Sequence, residues 1–185
     1  MRRREGFTLI ELLVVSLIIG LLATFAVMEY KKAVARSHAT QLETMLEKVV
    51  EAMDVYFMAN GAYPSSLDDL DIGTGLESAG KTTTCGASLV PTSVKKGKDF
   101  EIALFTVGVQ KRYSLSAHFT TGKYKCTGFV YYLDVPIKPD LNNQMFCAEH
   151  YYNRSCGTNC DRGAFCSDIM GKTYKGYFDL ISRYQ

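Results

Sequence analysis

Phe7 to Met28 form an apolar run, and the 17 residues from Leu12 to Met28 within it carry no formal charge. About 20 such residues, rising about 1.5 Å each as a helix, cross a hydrocarbon core, so the run nearly spans a bilayer. Arg2, Arg3 and Arg4 precede it. Basic residues hold their end of a span in the cytoplasm, which leaves everything after Tyr30 outside. The run also divides the chain. All six cysteines lie between Cys85 and Cys166 and all four prolines at or after Pro64, while the first 60 residues hold only Gly6 and Gly20. The front third therefore reads as one unbroken helix.

Composition narrows the class further. With 185 residues, 47% hydrophobic and 22% charged, the chain suits one domain with an appendage, and neither a disordered polar tail nor a multi-span membrane protein fits. Met1 to Gly6 hold three arginines and one glutamate, so removing them takes the net charge from +2 to zero. A balanced remainder gives no global electrostatic reason to bind nucleic acid. Lys95, Lys96, Lys98, Lys111, Arg112, Lys123 and Lys125 are locally basic and read as a solvated face.

Three readings compete for the apolar run. A secretory signal peptide would use Ala33-Val34-Ala35 as its cleavage site, but the run is longer than the usual h-region of about 7 to 15 residues and contains Glu11. A plain uncleaved anchor explains the arginines and leaves Glu11 unexplained. In the third reading the cut falls before the run, at Gly6/Phe7, and the apolar helix stays on the mature protein.

The residues Gly6-Phe7-Thr8-Leu9-Ile10-Glu11-Leu12-Leu13-Val14-Val15 favour the third reading, because they resemble the amino-terminal signature of type IV pilins and related pseudopilins. The resemblance covers the leader and apolar helix and extends more loosely to Pro64. Gly20 and Tyr30 also match family positions, whereas the proline usual in the second half of the apolar segment is replaced by Met28. The resemblance implies that a membrane aspartic peptidase, the prepilin peptidase, cuts after Gly6 and methylates the new amino terminus at Phe7. It also implies assembly of the apolar helices into a helical homopolymer, with minor pilins and an inner-membrane assembly platform as partners and the lipid bilayer as the earlier environment.

The physics of Glu11 agrees. An ionised carboxylate near mid-bilayer costs about 2.5 to 3.5 kcal/mol, so a retained one has a partner or a route to water. Cleavage at Gly6 creates a free α-amine on Phe7, about 6 Å of helix from Glu11, and in a staggered array one subunit's carboxylate meets a neighbour's amine.

Beyond Met28 the helix turns amphipathic. Leu42, Met45, Leu46, Val49, Val50, Met53, Tyr56 and Phe57 recur by threes and fours as one stripe, with Glu43, Glu47 and Glu51 as a polar ridge. Asn60-Gly61 supplies a left-handed stop and Pro64 forbids continuation. Residues 61–98, rich in Gly, Ser, Thr and Asp, read as a connecting loop; Asp68, Asp69 and Asp71 lack a calcium-loop spacing. From Phe100 the period becomes two, and Tyr113, Leu115, Ala117 and Phe119 alternate with Ser114, Ser116, His118 and Thr120. This predicts a half-buried antiparallel sheet of three or four strands covered by the helix stripe, with His118 on its solvated side.

Six cysteines in an extracytoplasmic head favour disulfides and leave many connectivities open. Resemblance to pilins with a disulfide-bounded terminal region implies Cys147 with Cys166; Cys85 with Cys126 and Cys156 with Cys160 are the further expected pairs. A zinc site from His150, Cys156, Cys160 and Cys166 is the weaker alternative, since paired C-x-x-C knuckles are missing. Asn153-Arg154-Ser155 matches a glycosylation sequon. No enzyme motif emerges, and no cofactor, metal or nucleic-acid partner is expected.

The expected chain is thus an α+β protein: leader 1–6, transmembrane and polymerisation helix 7–28, amphipathic helix 29–60, connecting loop 61–98, and a β-sheet head 99–185 with a cysteine-rich carboxy-terminal region. The resemblance implies a structural subunit of a type IV pilus-like filament serving adhesion, twitching motility or DNA uptake. The alternative is a pseudopilin of a type II secretion system. Either would be a single-pass protein of the bacterial inner membrane, amino terminus cytoplasmic and head periplasmic, passing later into an extracellular pilus or a periplasmic pseudopilus. Replacing Gly6 by a bulky residue is expected to block processing; a correctly trimmed product, read by mass spectrometry, would remove the cleavage point.

Overall fold

The computed structural model describes residues 7–73, 75–81, 85, 90–107, 112–136, 139–149, 165–172, 174–178 and 181–184. One helix, α1, runs without interruption through Leu9–Asn60, as the scarcity of glycine and proline in that stretch predicts. It continues through Met28 without a break. Its end is chemically defined. The Asn60 side-chain amide donates to the Tyr56 carbonyl at 2.9 Å, and Gly61, at φ 70°, donates its N–H to the Phe57 carbonyl at 2.8 Å. A left-handed residue is cheap only for glycine, so the stop sits where the sequence places it.

The chain divides after Ser37 into two compact units. In the second, the distal part of α1 buries Ala39, Leu42, Leu46, Val49, Val50 and Met53 against an antiparallel sheet. This stripe is narrower than the sequence pattern: Phe57 stays exposed and stacks on Tyr63, ring centroids 4.7 Å apart, and Tyr63 in turn lies 5.1 Å from Tyr113.

The sheet comprises β1 (Glu77–Ser78), β2 (Ser93–Lys96), β3 (Phe100–Val107), β4 (Arg112–Phe119), β5 (Gly128–Asp134), β6 (Gln144–Glu149), β7 (Tyr174–Phe178) and β8 (Ile181–Tyr184). Their order is β1-β2-β3-β4-β5-β6-β8-β7, with every pairing antiparallel. Among the described residues the sheet has eight strands, where three or four were expected. The additional ones are short, and β1 and β2 arise inside residues 61–98, where no apolar alternation announces them; they are recruited by backbone pairing onto the β3 side of the sheet. Close approach is enforced at the start of β5, where a Cβ on Gly128 would run into the Ala117 carbonyl oxygen and stand 2.7 Å from the His118 Cα.

Both faces of the sheet are buried, not one. Ile102, Leu104, Leu115, Ala117, Phe129 and Cys147 share a face with Tyr113 and Tyr131 by the strand register. Burial first, and then the Asp54 carboxylate of α1, raise the pKa of the Tyr131 hydroxyl, which marks this as the helix side. The opposite face holds a second cluster of Val94, Ala103, Phe105, Val130, Tyr132 and Phe146, closed by Val135 and Leu141. His118 therefore corrects the sequence reading. It is fully buried on this second face, its Nε2 lies 2.7 Å from Glu101 Oε1, and Glu101, its partner in register on β3, is equally buried. Burial of two such groups is tolerable only because each supplies the other's hydrogen bond.

Disulfides join Cys85 to Cys126 and Cys147 to Cys166. The second ties β6 to the segment carrying Phe165, whose ring packs edge-on against Phe119 and Phe129. Glu149 Oε1 accepts the backbone N–H groups of Phe165 (2.9 Å) and Cys166 (2.6 Å) at the same junction. Cys156, Cys160, His150 and the sequon at Asn153 lie outside the described residues, and among the described residues no cluster of three or more His, Cys, Asp or Glu is arranged to hold a metal. Replacing Cys147 and Cys166 together by alanine should cost about 3 kcal/mol, because the bridge closes a loop of 19 residues. Calorimetry of the full chain in detergent should show the melting of the head lowered by about 6 to 12 °C; an unchanged transition would contradict this role.

Candidate functional site

The apolar half of α1 has no partner in its own chain. Phe7 is 78% exposed, Leu9 82%, Leu22 64% and Phe25 64%, and the large side chains between them are exposed on every side of the helix. A helix apolar all round belongs in lipid or among other helices. Among the described residues it is the one helix long and apolar enough to cross a membrane. By length and composition it suits an inner-membrane span, the single one among the described residues.

The polar side chains of this run confirm that the segment suits hydrocarbon, where every unpaired group is costly. Ser16 Oγ donates to the Leu13 carbonyl at 2.9 Å and Thr24 Oγ1 to the Leu21 carbonyl at 2.7 Å. Thr8 and Glu11 serve each other at the helix start. The Thr8 N–H and Oγ1 donate to Glu11 Oε2 at 2.8 and 2.7 Å, and the Glu11 N–H reaches back to Thr8 Oγ1 at 3.4 Å. This reciprocal capping box satisfies donors that a helix amino terminus otherwise leaves orphaned. Negative charge is also favoured there by the helix dipole.

Glu11 thus has a partner within its own chain. The sequence analysis singled out Phe7 and Glu11 and passed over Thr8, although the T-x-x-E spacing ahead of an apolar run is the signal of such a box. Phe7 is placed just ahead of the helix and exposed; Gly6 lies outside the described residues. Energetically the carboxylate is affordable. Fourteen Leu, Ile, Val and Phe residues from Phe7 to Val27 favour insertion by about 4 to 8 kcal/mol, against about 3 kcal/mol for one uncompensated carboxylate.

A family model described as the prokaryotic N-terminal methylation motif matches residues 1–27. The amino-terminal segment is similar to those of fimbrial proteins and of type II secretion core proteins. A fimbrial protein of Neisseria meningitidis serogroup B is 32% identical over 78 residues, 42% of this chain and 46% of the relative. The type II secretion system core protein G of Pseudomonas aeruginosa is 34% identical over 70 residues, 38% of this chain and 49% of the relative. The type IV major pilin protein PilA of Myxococcus xanthus is 35% identical over 68 residues, 37% and 31% of the two chains. The matches to the first two span about half the length of those curated relatives. No solved structure matches.

Pilins and pseudopilins are therefore the frame in which this amino-terminal turn is to be tested. Thr8→Val removes the hydroxyl from the capping box and should cost about 1 kcal/mol, accelerating amide exchange in the first turn of α1 about fivefold. Hydrogen exchange on the full chain in micelles measures it, and exchange identical to the parent would show that the box carries no stability.

Proposed function

We propose that the chain is a structural subunit of a type IV pilus-like filament, assembled from the bacterial inner membrane and serving adhesion, twitching motility or DNA uptake. The observation that carries this reading is the helix from Phe7 to Met28, exposed on all sides yet with its polar side chains bonded within the helix. Such a rod is compatible with lipid and equally with sister rods. Before assembly the protein is anchored with its amino terminus in the cytoplasm and its head in the periplasm. A prepilin peptidase removes residues 1–6 and methylates Phe7. The trimmed helix then leaves the bilayer through an inner-membrane platform, together with minor pilins.

In the filament, Glu11 exchanges part of its bonding to Thr8 for the Phe7 amine of a neighbouring copy. A full charge pair formed in a medium of low dielectric is stronger than the neutral donors it supplements, and this gives assembly a directional term that apolar packing lacks.

A second reading, a pseudopilin of a type II secretion system, draws on the similarity to the Pseudomonas core protein G. The terminal loop closed by Cys147–Cys166 favours the pilus reading. Deleting the gene separates them: loss of surface filaments supports the first, and loss of secreted enzyme activity with filaments intact supports the second. Glu11→Ala is expected to leave membrane insertion unchanged and to reduce filament yield sharply. Sheared filaments quantified by immunoblot against membrane-bound subunit provide the measurement, and a normal yield would contradict the pairing of Glu11 with Phe7.

A further inference from the structure

The basic residues that the sequence presents as one solvated face are sorted by the fold. Lys96 and Lys98 lie at the turn from β2 into β3, and Lys123 and Lys125 lie in the connection from β4 to β5. Phe100 pairs with Phe119, so both turns stand at one end of the sheet, and Thr121 Oγ1 ties them by donating to Asp99 Oδ1 at 3.1 Å. All four lysines are exposed. They outnumber the carboxylates beside them, Asp99 and Glu77, which pairs in register with Lys96. Lys95 turns instead to Asp68, Arg112 opens β4 at the other end, and Lys111 lies outside the described residues.

The other end of the sheet has a different chemistry. Tyr63 lies between Phe57 and Tyr113, its ring centroid 4.7 and 5.1 Å from theirs. Plain alternation would put Leu133 opposite Tyr113, but a register shift after Tyr113 puts Asp134 there, and such irregularities re-aim side chains. Burial raises the pKa of the Tyr63 hydroxyl, and the carboxylates of Asp54 and Asp134 and then Tyr131 raise it further. Two carboxylates thus flank one row of rings. Neither forms an ion pair with another described residue. Phe57 and Met58 are exposed beside them, so the row is open to solvent.

We infer that, in the filament, lysines of the two basic turns of one copy dock on the row Phe57–Tyr63–Tyr113 of a neighbouring copy, between Asp54 and Asp134. The inference rests on the filament reading above. A lysine suits such a surface because its apolar stem covers ring while its ammonium reaches carboxylate, and the ring face itself attracts a cation. Lys123 already makes a contact of this kind in its own turn, 5.4 Å from the Tyr124 ring centroid. Both ends lie in the second compact unit. From Gly128 to Asp134, β5 rises about 20 Å, so the lysines of the basic turns cannot reach Asp134 of their own chain. A contact between opposite ends of one sheet joins two different surfaces. It is therefore heterologous and repeats from copy to copy, as a filament requires.

The test is zero-length carbodiimide cross-linking of sheared filaments from the full chain, expressed with its assembly machinery. Mass spectrometry of the covalent dimers should find isopeptide links from Asp54 or Asp134 to Lys98, Lys123 or Lys125, which subunit dispersed in detergent micelles should lack. Filaments in which these carboxylates link to other lysines, to another protein or to nothing overturn the docking and leave the filament reading standing. Charge reversal supplies a second arm. Lys98→Glu, Lys123→Glu and Lys125→Glu together should lower filament yield about fivefold or more, since like charges then face each other. The three positions are exposed, so membrane-bound subunit should stay at the parental level by immunoblot. Adding Asp54→Lys should recover part of the yield. Unchanged yield in the triple variant, or no recovery on adding Asp54→Lys, overturns the docking alone. Absence of filaments from the unaltered chain overturns the filament reading and the docking with it.

Discussion

Everything in this protein follows from a helix that cannot bury its first half against its own chain. A run of leucine, isoleucine, valine and phenylalanine on every side of a helix has no internal solution, since one face can be covered by a sheet and the others cannot. Water is the costliest surrounding for it. Lipid and copies of the same helix are the two that remain, and the backbone and side-chain bonding of the run satisfies the demands of both. Ser16, Thr24, Thr8 and Glu11 turn their polar atoms back onto the helix, so moving from one apolar environment to the other exposes no unpaired group.

The second unit solves a different problem. Its sheet buries both faces, with the stripe of α1 against one and a separate cluster around Phe105 and Tyr132 on the other. Two disulfides and the buried Glu101–His118 contact hold strands and connecting segments that contain little apolar surface of their own. A buried ion-capable pair is costly to break, because removal of either partner strands the other in a medium that cannot solvate it. The head thus gains rigidity from covalent and polar links as much as from hydrophobic area.

The amino-terminal region was legible in the sequence because its determinants are local. Apolar length, the scarcity of glycine and proline, the Asn60-Gly61 stop and the position of Glu11 are all read within a few helical turns. The head was legible only in part. The alternation in Tyr113 to Phe119 announced a strand, but it placed His118 in water, since a period of two cannot tell a solvated face from one covered by a second layer. β1 and β2 were missed because two to four residues without alternation become strands only when a neighbouring edge offers them partners.

What the sequence determined by itself was the long apolar helix, its membrane-grade length and composition, its distal stripe and the resemblance that gave Cys147 and Cys166 as partners. Tertiary structure alone decided the strand order, the burial of Glu101 beside His118, and the exposure of Phe57 at the end of a stripe whose other members are buried or half-buried. The division has a physical cause. Helical hydrogen bonds and hydrophobic periodicity act over a few residues, whereas strand pairing and the covering of a second sheet face depend on segments far apart in the chain, whose meeting no local pattern records.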